Sequence, residues 1–266
     1  MILFCLFPLF FQPMPEHAFL RIKGLCKQFE GVAALEGINL DLQRGEVVSL
    51  IGPNGAGKTT FFNCITGMTP STSGAIYFKG APITDLKPFE ITCRGVARTF
   101  QNIRLFPEMT VLENVLVGGY SQNALPLRST FFGALFQRKA FKQQEHVSRA
   151  AAVDLLEFVG LADRLERAAG CLAYGEQRRL EVARAMASGP TLLLLDEPAA
   201  GMNPKETQAL MELVGKICER GITPFLIEHN MKMVMGISDQ IIVLDHGVKI
   251  AQGTPSEIQN DQKVIS

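Results

Sequence analysis

Three runs of this chain are apolar at nearly every position: 47–51 (VVSLI), 191–195 (TLLLL) and 222–227 (ITPFLI). Such runs suit strands buried on both faces, as in a parallel sheet. Residues 19–26 (FLRIKGLC) and 38–42 (INLDL) alternate apolar and polar positions instead, which predicts half-exposed strands, with turns at Gly31 and Gly37. Shorter strands are expected at 75–79, 95–101, 240–244 and 248–251. Helical spacing predicts a helix over 143–159, with Val147, Ala151, Leu155 and Phe158 on one face. Helices are also expected over 61–66, 111–117 and 178–188. Another opens at Asn203 (N-cap), Pro204 and Glu206, buries Leu210, Leu213, Val214 and Ile217, and stops at Gly221. Thr110 with Glu113, and Thr254 with Glu257, are capping boxes.

Strands that alternate with helices predict an α/β fold, a mostly parallel sheet with helices on its faces. The alternating strands near the amino end predict an added antiparallel β subdomain. The span of about 102–190 has helical periodicity and no clear buried strand, so it is expected to be an inserted helical subdomain. Within it, 121–142 carries an apolar stripe of Phe131, Phe132, Leu135 and Phe136 flanked by Arg128, Arg138, Lys139 and Lys142. That pattern suits a membrane surface, a partner groove, or packing on the next helix.

Composition narrows the function. Lys plus Arg (26) equals Asp plus Glu (26), so the basic excess of a nucleic-acid binder is missing. The 6 cysteines are scattered without a C-x-x-C pair, which excludes a zinc framework and favours reduced thiols. The apolar start MILFCLFPLFF is too short to span a bilayer and holds Pro8. Residues 1–18 are expected to lie outside the fold and 261–266 to form a short tail, leaving 19–260 as one domain, with Met14 as the expected start of translation.

The chemistry begins after the first buried run. Gly52-Pro53-Asn54-Gly55-Ala56-Gly57-Lys58-Thr59-Thr60 is a glycine-rich turn between a strand and a helix, in the G-x-x-x-x-G-K-[ST] spacing of a phosphate-binding loop. The glycines bring backbone N–H groups close to a polyphosphate. Lys58 reaches its terminal phosphates, Thr59 ligates Mg²⁺ and Thr60 adds a hydroxyl to a phosphate oxygen. Asp196, after four leucines, is placed to hold Mg²⁺, and Glu197 beside it to polarise a water as general base. Gln101 and His229 also follow strands. Because ligands in such sheets sit outside the carboxyl ends of the strands, all these residues are expected to share one crevice. Gln101 suits contact with a metal-bound water or plain solvent exposure. Phe29 suits stacking on an adenine ring or capping of the sheet.

In this order the motifs resemble the ATP-binding-cassette (ABC) ATPases over about 19–259. The matches are the phosphate loop, Gln101 as Q-loop, Leu172-Ala173-Tyr174-Gly175-Glu176 as signature, Asp196, catalytic Glu197 and switch His229. The resemblance implies ATP and Mg²⁺ as ligands and a head-to-tail pair of cassettes in which Tyr174, Gly175 and Glu176 meet the partner's ATP. It implies metal contact at Thr59, Gln101 and Asp196. Ala97 to Thr110, Ala173 to Glu181 and Glu197 to Asn203-Pro204 are similar to importer ATPases for branched-chain amino acids, whose relatives carry urea or amides. Such ATPases work on the cytoplasmic face of the membrane with a second related ATPase or a self-copy. They sit beneath two permeases that a substrate-binding protein feeds. Ala173 and Asn203 depart from the general pattern, where Ser and Asp stand. A soluble cassette acting on ribosomes or DNA would carry two cassettes or a coiled coil, and a degenerate cassette would lack Glu197 or His229. A chain beginning at Met14 is expected to fold and hydrolyse ATP as the full chain does, measured by thermal melting and phosphate release. Loss of either would make 1–13 part of the working protein.

Overall fold

The computed structural model describes residues 18–120 and 137–265, apart from the side chains of 137–142. The aromatic stripe around Phe131 and the apolar start both lie outside the described residues. In chain order the strands are β1 (Leu20–Phe29), β2 (Val32–Leu42), β3 (Val48–Ile51), β4 (Ser73–Phe78), β5 (Ala81–Pro82), β6 (Val96–Arg98), β7 (Leu192–Asp196), β8 (Thr223–Ile227), β9 (Gln240–Asp245) and β10 (Val248–Gly253). They form an antiparallel sheet in the order β2-β1-β4-β5 and a second sheet in the order β10-β9-β3-β8-β7-β6. In the second sheet every pairing is parallel except that of the edge strand β10.

The helices are α1 (Lys58–Ile65), α2 (Pro88–Cys93), α3 (Val111–Gly118), α4 (Gln137–Phe158), α5 (Tyr174–Met186), α6 (Pro204–Glu219), α7 (Met231–Ile237), α8 (Pro255–Gln259) and α9 (Gln262–Ile265). None of the described helices is long and apolar enough to cross a membrane.

The pleat of the parallel sheet sorts the core into two layers, because successive side chains point to opposite faces. Leu192 and Leu194 pack with Phe225, α1 and the antiparallel sheet. Their neighbours Leu193 and Leu195 pack with α3, α4, α5 and α6. The rings of Phe61 and Phe62 meet Phe225 edge-on at 6.2 and 5.1 Å, pinning α1 to the sheet. The N-caps expected at Thr110, Asn203 and Thr254 are present, each accepting from the N–H three residues on. The buried face of α6 is Leu210, Leu213, Val214 and Ile217, as the spacing predicts.

Three local expectations change. The buried stripe of α4 is Ala152 and Leu156, continued by Val159 just past its end, while Val147 is 59% exposed and Leu155 and Phe158 only flank the core. Two overlapping sets of helical spacing run through this sequence, and packing on α3 and α5 selects the second. β6 is three residues long rather than seven, because Phe100 and Gln101 give their carbonyls to Arg178 instead of to a neighbouring strand. α5 starts at Tyr174, four residues earlier than expected, because the Glu176 carboxylate reaches back to the Ala173 N–H at 3.1 Å.

Leu194→Ala removes a side chain that is fully buried between sheet and α1. It is expected to destabilise the protein by about 2–5 kcal/mol, read as a lowered urea midpoint with unchanged slope.

Candidate functional site

The phosphate loop joins β3 to α1, and its shape requires glycine at both ends. At Gly52 (φ 148°) an added Cβ would fall on the carbonyl oxygen of Leu244 at the end of β9. At Gly57 (φ 95°), the residue that turns the chain into α1, it would fall on the carbonyl oxygen of Ala34 in β2. Gly247 (φ 80°), in the β9–β10 turn, faces the same Ala34 carbonyl, where a Cβ would lie 2.8 Å away. The loop is therefore wedged between the β9–β10 hairpin and the antiparallel sheet. Pro53, Asn54 and Gly55 stand open to solvent while Ala56 is buried against the core. Lys58 folds back over the loop, and its Nζ donates to the carbonyls of Gly52 at 2.7 Å and Pro53 at 2.9 Å. Burial pulls its ammonium below the usual lysine range, and the carboxylates of Glu197 and Asp196 oppose that fall. Thr59 is exposed and Thr60 half-buried on the first turn of α1. Phe29 ends β1 at the hairpin tip, 46% exposed, with Lys27 Nζ 4.7 Å from its ring centre.

The other strand ends come to the same edge. Ile227 pairs with Leu50 of β3 on one side and Asp196 of β7 on the other, so the three strands finish level. Glu197 follows with a left-handed backbone (φ 47°), a conformation that costs a non-glycine residue energy and is held by the surrounding bonds. Its N–H donates to the Ile227 carbonyl at 2.9 Å. Gln101 Nε2 donates to Glu197 Oε2 at 2.9 Å, and His229 Nδ1 stands 3.9 Å from the same oxygen. Gln101, Glu197 and His229 thus meet at one carboxylate, and Lys58 feels its charge.

Several participants carry no motif. Arg98, nearly buried, donates to Asp196 Oδ2 at 2.6 Å and Asn63 Oδ1 at 2.6 Å and lies over the rings of Phe62 and Phe100. Glu228, between β8 and His229, accepts from the N–H of Ala199 at 2.8 Å and from those of His229 and Asn230. Burial pushes its carboxyl up, against the pull of those three bonds. It thereby ties the chain just after Glu197 to the loop that carries His229. The signal for it was a carboxylate directly after a buried strand.

Tyr174, Gly175 and Glu176 form the first turn of α5. Among the described residues, their hydrogen bonds and ion pairs stay within α5 and the preceding loop and do not reach the phosphate loop. Gly175 abuts Glu206 of α6, where a Cβ would stand 2.8 Å from Oε1. The Tyr174 ring lies against Gly201 in the loop after Glu197.

The ABC transporter family profile matches residues 35–200. The chain belongs to the ABC transporter family. The branched-chain amino acid transport ATP-binding protein BraF of Pseudomonas aeruginosa is 48% identical over 247 residues, 92% of this chain and 95% of its own. LivG of Escherichia coli K12, named likewise, is 47% identical with the same coverage. A solved nucleotide-free ATP-binding cassette from an ABC transporter superposes with a TM-score of 0.81 at 34% identity, covering 94% of this chain and 98% of that one. A dimeric post-hydrolysis cassette bound to ADP and phosphate gives 0.72 at 26% identity, covering 89% and 98%.

As an ABC ATPase the chain binds ATP, and its residues suit Mg²⁺ beside it. The Thr59 hydroxyl, Gln101 amide and Asp196 carboxylate are hard oxygen donors. Among the described residues no cluster of three or more His, Cys, Asp or Glu could hold a metal ion by itself. Lys58→Ala removes the ammonium that now holds two loop carbonyls and that the motif directs at a polyphosphate, where charge-assisted bonds contribute about 1.5 kcal/mol each. It is expected to weaken ATP binding by about 100-fold, read by titration with a fluorescent ATP analogue.

Proposed function

We propose that this chain is the ATP-hydrolysing subunit of an importer for branched-chain amino acids. Residues 19–260 act as one ATPase domain, with about 102–190 as its helical subdomain. The observation that carries the catalytic part is the meeting of Gln101 and His229 on the Glu197 carboxylate, next to the lysine of the phosphate loop. The cargo rests on the 47–48% identity to BraF and LivG.

ATP enters the loop, and Lys58 exchanges the carbonyls of Gly52 and Pro53 for the terminal phosphates. Backbone N–H groups of Gly55 to Thr60 surround the phosphates, Thr60 adds a hydroxyl, and Phe29 stacks on the adenine. Thr59, Asp196 and Gln101 would hold Mg²⁺, which would supply charge neutralisation at the phosphate oxygens. Arg98 keeps Asp196 in place. Glu197 accepts the proton of the attacking water, with Gln101 fixing the carboxylate and His229 beside the same oxygen. The pinned, left-handed backbone at Glu197 holds that carboxylate in position before ATP arrives.

The turn Tyr174-Gly175-Glu176 offers the N–H groups of a helix start to an anion. With no bond to its own phosphate loop, it serves the ATP of a second cassette, either a related ATPase or a self-copy, in a head-to-tail pair. Glu176 caps its own helix, so Gly175 carries most of this contact. Two transmembrane permeases, with this chain at their cytoplasmic face, complete the transporter, and a substrate-binding protein supplies them.

The test is uptake of labelled leucine by vesicles holding the chain with its permeases, second ATPase and binding protein. ATP-driven leucine uptake supports the proposal. Uptake of urea or an amide in its place keeps the ATPase and overturns the cargo. Glu197→Gln is expected to keep ATP affinity within about threefold while turnover falls by about 10²–10⁴-fold, because the amide is a poor base. Turnover near the native rate would remove Glu197 from its role.

A further inference from the structure

Arg178 stands one turn into α5, with its side chain only 4% exposed. Every N–H of its guanidinium has a partner. Nε and Nη2 donate to Tyr174 Oη at 3.2 and 2.9 Å. Nη1 donates to the Phe100 carbonyl at 2.8 Å and to Glu181 Oε2 at 3.3 Å, and Nη2 also donates to the Gln101 carbonyl. Glu181, 2% exposed in its side chain, accepts from the Phe100 N–H at 3.3 Å with its other oxygen. The Arg178–Glu181 pair therefore holds both polar groups of Phe100 and the carbonyl of Gln101. These are the backbone groups that β6 leaves without a strand partner.

We propose that Arg178 is the positioning residue that sets Gln101 against Glu197 and ties that setting to the signature turn. The inference rests on the reading of Gln101 and Glu197 as the hydrolytic pair. One planar cation bonds the Gln101 carbonyl on one side and the Tyr174 hydroxyl on the other. The Gln101 side chain in turn bonds Glu197, and the Tyr174 ring abuts Gly201 beyond it. The turn that meets the partner's ATP and the glutamine that aligns this chain's own base thus share one group. Lysine cannot replace this, because a single ammonium lacks the five-donor fork needed to span three segments.

The experiment compares ATP turnover of the full chain carrying Arg178→Lys, Gln101→Ala, or both. For Arg178→Lys, kcat is expected to fall 10- to 100-fold, with KM for ATP within twofold and the melting temperature within a few degrees. In the Gln101→Ala background, Arg178→Lys should lower kcat by less than a further twofold, since the residue it positions is already gone. A purely structural role would instead multiply the two losses, and that result overturns the proposal. If Arg178→Lys does not fold, Arg178→Gln carries the same comparison, since Glu181 keeps the Arg184 charge and the Phe100 N–H while the fork is lost. Loss of turnover in Gln101→Ala with native kcat in the Arg178 variant overturns the role of Arg178 alone. Native turnover in Gln101→Ala overturns the hydrolytic reading and this proposal together.

Discussion

The site depends on a register. Ile227 sits between Leu50 and Asp196 in the parallel ladder, and that alignment makes three strands end at one level. Everything polar that follows these strands is delivered to the same edge: the phosphate loop, the Asp196-Glu197 pair, and Glu228 with His229. A slip of one residue in β7 would withdraw Asp196 from the edge. Leu192 to Leu195 are fully buried and feed two different cores, which holds the strand between its layers, but four leucines in a row fit either face. The register is marked by the polar end: Arg98 grips Asp196, and the Glu197 N–H donates to the Ile227 carbonyl. Packing at the middle of the sheet and bonds at its rim thus fix the strand together.

That rim balances its charges among its own side chains and carbonyls. Arg98 compensates Asp196, and Lys58 lies folded on the loop carbonyls. Arg178 compensates Glu181 one layer away. Buried ion pairs add little net stability, and losing one partner is costly. Their use here is orientation, since each arginine also grips a group outside its pair. For Arg98 that group is the Asn63 side chain of α1, and for Arg178 it is the chain after β6. Helices and strand ends from opposite layers are locked together through planar cations with several donors, which a nonpolar contact would not do with the same directionality.

Much of this was legible in the sequence. The phosphate loop, the three buried strands, the caps at Thr110, Asn203 and Thr254, and the buried face of α6 follow from local rules, and local bonds produce them. The misses came from tertiary choices. Leu155-Leu156 and Phe158-Val159 let α4 satisfy helical spacing in two ways, and only its neighbours decide which row is buried. The extent of β6 depends on an arginine 80 residues downstream in round terms, about which strand propensity says nothing. Arg98, Arg178, Glu181 and Glu228 look like ordinary surface charges in a composition that has many. Their burial follows from where the sheet puts them. Glu197 was found by its neighbours, but its left-handed backbone had no signal, since glutamate is an uncommon residue there.

The carbonyl of Ala34 receives two glycines, Gly57 from the phosphate loop and Gly247 from the far hairpin. Because the contact is made by a backbone oxygen, the side chain at position 34 takes no part in it. Positions 57 and 247 therefore admit only glycine, whereas position 34 can change its side chain without disturbing the seat. Its neighbours lack that freedom, because Leu35, Ile38, Leu40 and Leu42 of the same strand are buried in the core.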